Sequence, residues 1–287
     1  MPLTAQQLQC LFKSKQISYA AEIVWLKRND QNILLVGEHH VAPTCENGNQ
    51  DDTQESETCD PNMTHILKTI IRWVKSQKCK LLLEIHPFLW GRAQEEEKQH
   101  DTSFEMLHRE LGYENLTGFD TRKDFFPPMQ IVNELVNVHD FHATNEDPHA
   151  EFFRQILLEW VIMPFLIRNS ALDTYVTYVR NKSNKLSRPT DKKIWNTQLD
   201  EFVDRRHAFA VEKSEAATMG ELFTEHQRSG QEMVDLIAIS SVLAHETDDF
   251  VVFGGIKHVA FEVKLLQRFG FVVKAMRHAE HENINCV

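Results

Sequence analysis

Two apolar runs, far apart in the chain, end in the same short pattern, Gly-x-x-His. The first runs from Ile33 to His40 and the second from Phe250 to His258. Short apolar runs rich in β-branched residues and followed by glycine are typical of fully buried strands that end in a sharp turn. Functional sites in open α/β sheets lie beyond the carboxyl ends of the strands, so the repeat predicts that His40 and His258 face one pocket. The alternative is that each histidine caps a turn or packs beneath a helix.

The order of the remaining elements predicts an α/β fold. Further strands are expected at Ala21–Leu26, Cys79–Ile85, Leu116–Asp120 and Phe271–Ala275. A strand, a helix and a strand in succession favour a parallel pair, whereas residues 129–245 show almost no strand pattern. We therefore expect a single α/β domain over 1–287, with a central sheet flanked by helices. Residues 127–248 would form a helical insertion or cap within it.

Charge and composition exclude several classes of partner. The net charge of −11 argues against binding to nucleic acid or to an anionic membrane. The most apolar stretch, Leu157–Ile167, is too short to span a bilayer, and residues 1–13 show no signal-peptide pattern. Five cysteines without a Cys-x-x-Cys pair fit a reducing compartment, and a cytoplasmic location is expected. Cys45 and Cys59 flank an acidic loop and are the pair that an oxidant would join.

Polar side chains end four of the predicted strands. They are the Glu38/His40 pair, Glu84, Asp120 and His258. Charged groups at the ends of buried strands are costly unless they are paired, hydrated or metal-bound. Imidazole together with carboxylate suits a divalent ion such as Mn, Zn or Fe, with His40, Glu84 and His258 as ligands. The same groups suit general acid–base catalysis without any cofactor, so both options stay open.

Arg122 follows Asp120 closely, and it either binds an anionic substrate or pairs structurally with a neighbouring carboxylate. The sequence lacks the motifs of P-loop enzymes, Rossmann dehydrogenases, α/β-hydrolases and zincins.

The residues quoted above resemble the superfamily that joins erythromycin esterases, ChaN-like iron-regulated lipoproteins and Tiki/TraB proteins. The first motif, Gly37-Glu38-His39-His40, looks like the Gly-Glu-x-His form of the esterase and ChaN branches. The stretch 81–84 looks like the strand of that family that ends in Glu, and 118–122 is similar to a Gly-x-Asp-x-Arg stretch in some members. Residues 252–258 look like its second motif.

The resemblance implies a mixed sheet of two related halves, with a pocket between them under the helical block. It carries over Glu38, His40, Glu84 and His258 as site residues. Activities in that superfamily diverge among macrolide ester hydrolysis, metal-dependent peptide cleavage and haem binding, so the substrate does not transfer.

Three functions follow as hypotheses. The first is a hydrolase of ester or peptide bonds, metal-assisted or metal-free, in which Glu38, His40 and His258 are catalytic, with Asp120 and Arg122 near a small-molecule or peptide substrate. The second is a protein that holds a metal, haem or small ligand without turnover. The third is a non-catalytic member of the superfamily that binds a protein partner through its helical block.

Overall fold

The structure is a computed structural model that describes residues 3–13, 16–18, 20–38, 63–84, 107, 109–112, 116–120, 150–164, 170–213 and 217–278. Four residues named above, His40, Cys45, Cys59 and Arg122, lie outside the described residues together with the acidic loop. The chain divides into two compact units. The first comprises Met1–Phe119 and Glu246–Val287, and the second comprises Asp120–His245. The predicted organisation as one domain with an insertion at 127–248 stays a prediction.

The first unit is built on a mixed six-stranded sheet, as an α/β fold requires. Its strands, with two shorter ones, are β1 (Gln16–Ser18), β2 (Glu22–Arg28), β3 (Gln31–Glu38), β4 (Met63–His65), β5 (Lys80–Leu83), β6 (Leu116–Gly118), β7 (Phe250–Gly255) and β8 (Val272–His278). The order in the large sheet is β6-β5-β7-β3-β2-β8. β7 lies parallel to β5 and β3, whereas the hairpin strand β2 is antiparallel to both β3 and β8. β1 and β4 form a separate parallel pair.

Among the described residues, the helices that pack against the sheet include α1 (Ala5–Lys13), α2 (Ile66–Lys75) and, after β7, a helix over Ile256–Arg268. In β3, Leu34 and Val36 belong to the apolar cluster that contains α1 and α2. Side chains alternate between the two faces of a strand, so Leu35 and Gly37 face the other side, where the Ile256–Arg268 helix packs. Because every residue of β3 is buried, its apolar run is continuous rather than alternating.

A buried carboxylate anchors the amino-terminal edge of the sheet. Asp249 accepts hydrogen bonds from the backbone N–H groups of Leu3 (2.7 Å) and Asn32 (2.6 Å). Trp25 in turn donates from its indole nitrogen to the Asn32 side chain (3.1 Å). Burial raises the pKa of Asp249, and these hydrogen bonds oppose that shift. The contacts fasten the segment before α1 to the strands that end in the Gly-x-x-His motifs.

The second unit is helical in its described residues. It contains α3 (Ala150–Leu157), which runs into a π-helical turn (Leu158–Ile162), α4 (Ser170–Lys182), a 3₁₀ turn (Ser183–Lys185), α5 (Pro189–Lys213) and α6 (Met219–Leu243). The helix in the first unit over Ile256–Arg268 is therefore α7. The spacing of apolar residues predicts one helix over Lys192–Glu225 and another over Gln231–His245. Both bounds are wrong, because the chain is not helical at 217–218 and α6 begins directly afterwards. Thr218 and Glu221 form a reciprocal capping box that fixes this start.

A buried ion-pair network joins α5 to α6. The Arg206 guanidinium donates to Glu225 (2.5 Å) and to Glu232 (2.7 Å), and Arg205 also pairs with Glu232. Arg206 exposes only 3% of its surface. Burial raises the pKa of Glu232, and the neighbouring arginines oppose that shift. A buried charge of this kind is tolerated because each carboxylate has a cationic donor.

Two other boundaries differ from expectation. The spacing of apolar residues predicts a helix over Pro61–Ser76, but the helix begins at Ile66, because Met63–His65 is a strand that pairs with β1. The last strand, expected to end at Ala275, continues to His278, so Arg277 and His278 belong to the sheet rather than to a frayed tail.

The cysteines depart from the reduced state that we expected. Cys10 is disulfide-bonded, while Cys79 is a buried free thiol. Burial raises the pKa of Cys79 to about 12, and the nearby Asp249 carboxylate adds to the shift. Within the described part of the chain, no helix is long and apolar enough to cross a membrane.

Candidate functional site

The two strands that carry the repeated motif lie side by side and run in parallel. Gly37 is in register with Gly254, and Glu38 is in register with Gly255. β5 flanks β7 on its other side, with Leu83 opposite Phe253. The carboxyl ends of β5, β7 and β3 therefore meet at one edge of the sheet, where the sequence predicted a pocket.

Glu84 and His258 meet at this edge. His258 Nε2 lies 3.0 Å from Glu84 Oε1, and the two side chains expose only 6% and 7% of their surface. The second carboxylate oxygen, Oε2, accepts a hydrogen bond from the backbone N–H of Gly255 (2.8 Å). Shielding from water strengthens both interactions relative to a surface pair. Each carboxylate oxygen of Glu84 thus has a donor, and the imidazole is held in one orientation.

Local backbone geometry explains why these two side chains come together. Glu84 follows β5 directly, and its own N–H donates to the carbonyl of Phe253 (3.0 Å), which fixes its position beside β7. His258 lies in the first turn of α7, whose N-cap is Gly255. A Cβ at Gly254 would lie 3.0 Å from Glu84 Oε2 and 3.4 Å from Glu84 Cβ. Glycine at 254 therefore leaves the room into which the carboxylate fits.

The same contacts have a structural role. A carboxylate at the amino end of a helix interacts favourably with the helix dipole and satisfies one of the N–H groups without an intrahelical partner. Glu84 does this for α7, because it bonds the N-cap N–H of Gly255. Helix capping and orientation of His258 are compatible, since they use different carboxylate oxygens.

Other predicted residues stand apart from this pair. Glu38 ends β3 and is buried, but the alternation of side chains directs it to the face that α2 covers, opposite to α7. Asp120 lies two residues past β6, at the start of the second unit. His40 and Arg122 lie outside the described residues. The described geometry thus brings together Glu84 and His258 among the six predicted residues.

A second acid–histidine pair lies at the same edge, and the sequence did not predict it. Glu22 opens β2 opposite both Gly37 and His278, and His278 Nδ1 lies 3.5 Å from Glu22 Oε1. Glu22 is buried, whereas the side chain of His278 is 66% exposed. The available signal was the alternation of β8, which continues through Arg277 and His278.

The Glu84–His258 pair also bears on the predicted metal. Two ligand atoms that bind one ion at about 2.1 Å lie about 3 Å apart when the angle between the bonds is near 90°. The Nε2–Oε1 separation of 3.0 Å matches that geometry as well as a hydrogen bond. However, no group of three or more His, Cys, Asp or Glu side chains within the described residues is arranged to hold a metal ion. A metal centre here would require a ligand such as His40.

No known protein family, curated protein or solved structure matches this chain.

Proposed function

We propose that this protein is a hydrolase of ester or peptide bonds whose centre is the Glu84–His258 pair. The observation that carries the proposal is the buried 3.0 Å contact between an imidazole and a carboxylate at the carboxyl edge of a parallel sheet. A carboxylate that orients a histidine is a recurrent arrangement in general-base catalysis. The resemblance to the superfamily of erythromycin esterases, ChaN-like and Tiki/TraB proteins supports the same function. Membership of that superfamily is itself a proposal.

The chemistry follows from the orientation of His258. When neutral imidazole donates its Nε2 proton to Glu84, Nδ1 is the nitrogen that retains a basic lone pair. Nδ1 would take a proton from water as the oxygen attacks the carbonyl carbon. The C–O or C–N bond then breaks, and the imidazolium returns the proton to the leaving group. Glu84 stabilises the imidazolium through its negative charge. Glu38, which the sequence predicted as catalytic, faces the other side of the sheet and is assigned no step in this mechanism.

A divalent ion would activate the attacking water in a different way. A bound Mn, Zn or Fe ion lowers the pKa of a coordinated water and makes hydroxide available near neutral pH. His258, Glu84 and His40 are the residues that would hold it. Glu84 would hold the ion through Oε1, because Oε2 already accepts a hydrogen bond from Gly255.

The test is a hydrolysis assay with p-nitrophenyl acetate and a mixed fluorogenic peptide library. Wild type is compared with His258→Gln and with a control, His207→Gln, which changes an exposed histidine on α5. Each protein is assayed with EDTA and with added Mn, Zn or Fe. We expect turnover by wild type and by the control, and a loss of about a hundredfold or more in His258→Gln.

The outcomes separate the hypotheses. Turnover that survives EDTA supports the metal-free site, while turnover restored only by an added ion supports the metallohydrolase. No turnover in any condition, or equal turnover in all three proteins, contradicts the proposal. An absorbance band from bound haem in the protein without turnover would favour the ligand-binding alternative.

The cellular compartment of the protein and its binding partner are also proposals. The disulfide at Cys10 weighs against the cytoplasmic location expected from the sequence, because structural disulfides persist mainly in oxidising compartments. Mass spectrometry of the unreduced protein from its native cell would decide this point through the fraction of Cys10 that is oxidised. A protein partner for the helical block is likewise a prediction.

A further inference from the structure

We infer that the amino-terminal edge of the sheet carries a second site, a cleft that binds a small phosphate-bearing anion. The cleft has a volume of about 430 Å³ and is lined by Ala5, Trp25, Lys27, Arg28, Asn29, Gly270, Val272 and Lys274. This volume lies within the range of small-ligand sites, which is roughly 300–1,000 Å³. Three of the lining side chains are cationic and none is acidic.

The cleft is lined by positive charges although the whole chain is acidic. The chain has 42 acidic and 31 basic residues and a net charge of −11. Within the described residues, neither Lys27 nor Lys274 forms a salt bridge. Cations on an acidic protein are usually paired with neighbouring carboxylates, so two lysines without such pairs beside an arginine create a local positive potential.

Two carboxylates at this edge of the sheet, Asp248 and Asp249, have other partners. Burial raises the pKa of Asp249, and the charge of Lys27 opposes that shift only after the hydrogen bonds that the carboxylate accepts from Leu3 and Asn32. Asp248, its neighbour, pairs with Lys80 at 2.7 Å. Asp30 is exposed in the turn between β2 and β3. The positive charge at the cleft is therefore only partly offset.

Two features of the fold bring the cationic side chains together at the cleft. The register between β2 and β8 shifts between Trp25 and Leu26, so Lys274 is the extra residue of a β-bulge. Bulges redirect side chains and are common at ligand sites. On the other side, Arg28 is 7% exposed, donates to the carbonyl of Phe269 (3.1 Å) and lies over the Phe271 ring at 4.6 Å.

The donor set favours phosphate over carboxylate. A planar carboxylate is best matched by the two-pronged fork of a free guanidinium. Nη1 of Arg28 already donates to Phe269, so the fork is partly engaged. Lysine ammonium groups act as point charges that suit the tetrahedral oxygens of a phosphate. The amino end of α1 at Ala5 adds the positive end of a helix dipole.

This cleft is distinct from the Glu84–His258 site. β2 runs from Glu22, at the edge where that pair lies, to Arg28 at the cleft. Six residue steps of roughly 3.3 Å separate the two edges by about 20 Å. A ligand in the cleft therefore does not touch the proposed hydrolytic centre, and the two proposals can fail independently.

The test is isothermal titration of the full chain with inorganic tripolyphosphate at low ionic strength. Wild type is compared with Lys27→Gln/Lys274→Gln and with the control Lys193→Gln/Lys264→Gln, which removes the same charge from exposed helical positions. We expect one saturable site in wild type and in the control, and an affinity at least about tenfold lower in the cleft variant. Unfolding midpoints without ligand establish that both variants are folded.

Two results would overturn the inference. One is the absence of saturable binding by wild type. The other is an equal loss of affinity in both double variants, which would mean that overall charge rather than the cleft attracts the anion. A further variant, Lys274→Arg, keeps the charge in the bulge and is expected to retain binding. Added salt should weaken binding by wild type, because screening reduces the attraction between the lysines and the anion.

Discussion

Replacement of Gly37 by alanine should push α7 away from the sheet. A Cβ at this position would lie 2.8 Å from Val259 Cγ2 and 2.9 Å from the backbone Cα of Ile256. Carbon atoms in contact prefer about 3.5–4.0 Å, so the backbone of the first turn of α7 must move by about 0.6 Å or more. The valine side chain can rotate, but the backbone of Ile256 has no such freedom. We expect a loss of about 1–3 kcal/mol in the free energy of unfolding, which is typical of overpacked cores.

The matched control is Gly220→Ala. A Cβ there meets nothing within 4 Å, and the residue is exposed in the first turn of α6. Because alanine favours helix over glycine, this change should be neutral or should stabilise by up to about 1 kcal/mol. Urea denaturation followed by tryptophan fluorescence measures both, since Trp25 and Trp73 are buried in the first unit and Trp195 is buried in the second.

The displacement should also reach the proposed site. The first turn of α7 carries the N–H of Gly255 (2.8 Å from Glu84) and the ring of His258 (3.0 Å from Glu84). Misplacement of catalytic groups by about 1 Å commonly costs about a hundredfold in rate. Gly37→Ala should therefore lose more activity than its stability loss explains. Equal unfolding energies for Gly37→Ala and Gly220→Ala would refute the packing argument.

Three further outcomes are expected. Arg206→Ala should lower the free energy of unfolding by about 3–5 kcal/mol, because it leaves the buried Glu225 carboxylate without its arginine and leaves Glu232 with Arg205 alone. Arg180→Ala in an exposed pair should cost at most about 1 kcal/mol, and urea titrations measure both. Cys79, with a pKa raised to about 12, should resist a thiol reagent at pH 8 in the folded protein and react once the protein is unfolded; rapid labelling of the folded protein would contradict this. The Lys213 hydrogen bond and the helix cap lower the pKa of Glu221 to about 2, so its stabilisation is present above the ordinary value of 4.5 and is lost as the pH falls towards 2. The difference in stability between wild type and Glu221→Gln should shrink over that interval, and a constant difference would be evidence against the assigned shift.

The strands and their glycines were predictable because their signals are local. The apolar run that ends at Gly37 and the run that ends at Gly254 are continuous, which is what burial on both faces of a sheet demands. The start of α6 was also readable, since Thr218 and Glu221 have capping-box spacing. It was missed because residues 214–217 contain no glycine or proline to break a helical pattern.

The contact between Glu84 and His258 could not be deduced in the same way. β5 and β7 are adjacent in the sheet although more than 160 residues separate them in the chain. A periodic pattern predicts a strand but not its neighbour, so the order β5-β7-β3 was open. The pair of Glu22 and His278 was missed for a related reason: the side chains of β8 are exposed or half-buried, so its end has no apolar run to mark it as a strand.

The most direct test of the proposed centre is a double-mutant cycle on ester hydrolysis. The values of kcat/KM for p-nitrophenyl acetate are compared among wild type, Glu84→Gln, His258→Gln and the double variant. Both substitutions keep the approximate shape of the side chains, and each protein's unfolding midpoint separates lost chemistry from lost folding. If Glu84 acts through His258, each single change lowers kcat/KM by about a hundredfold or more. The double variant then has nearly the same kcat/KM as the less active of the two single variants. Wild-type rates in both folded single variants, or losses that simply multiply in the double variant, would contradict a shared role.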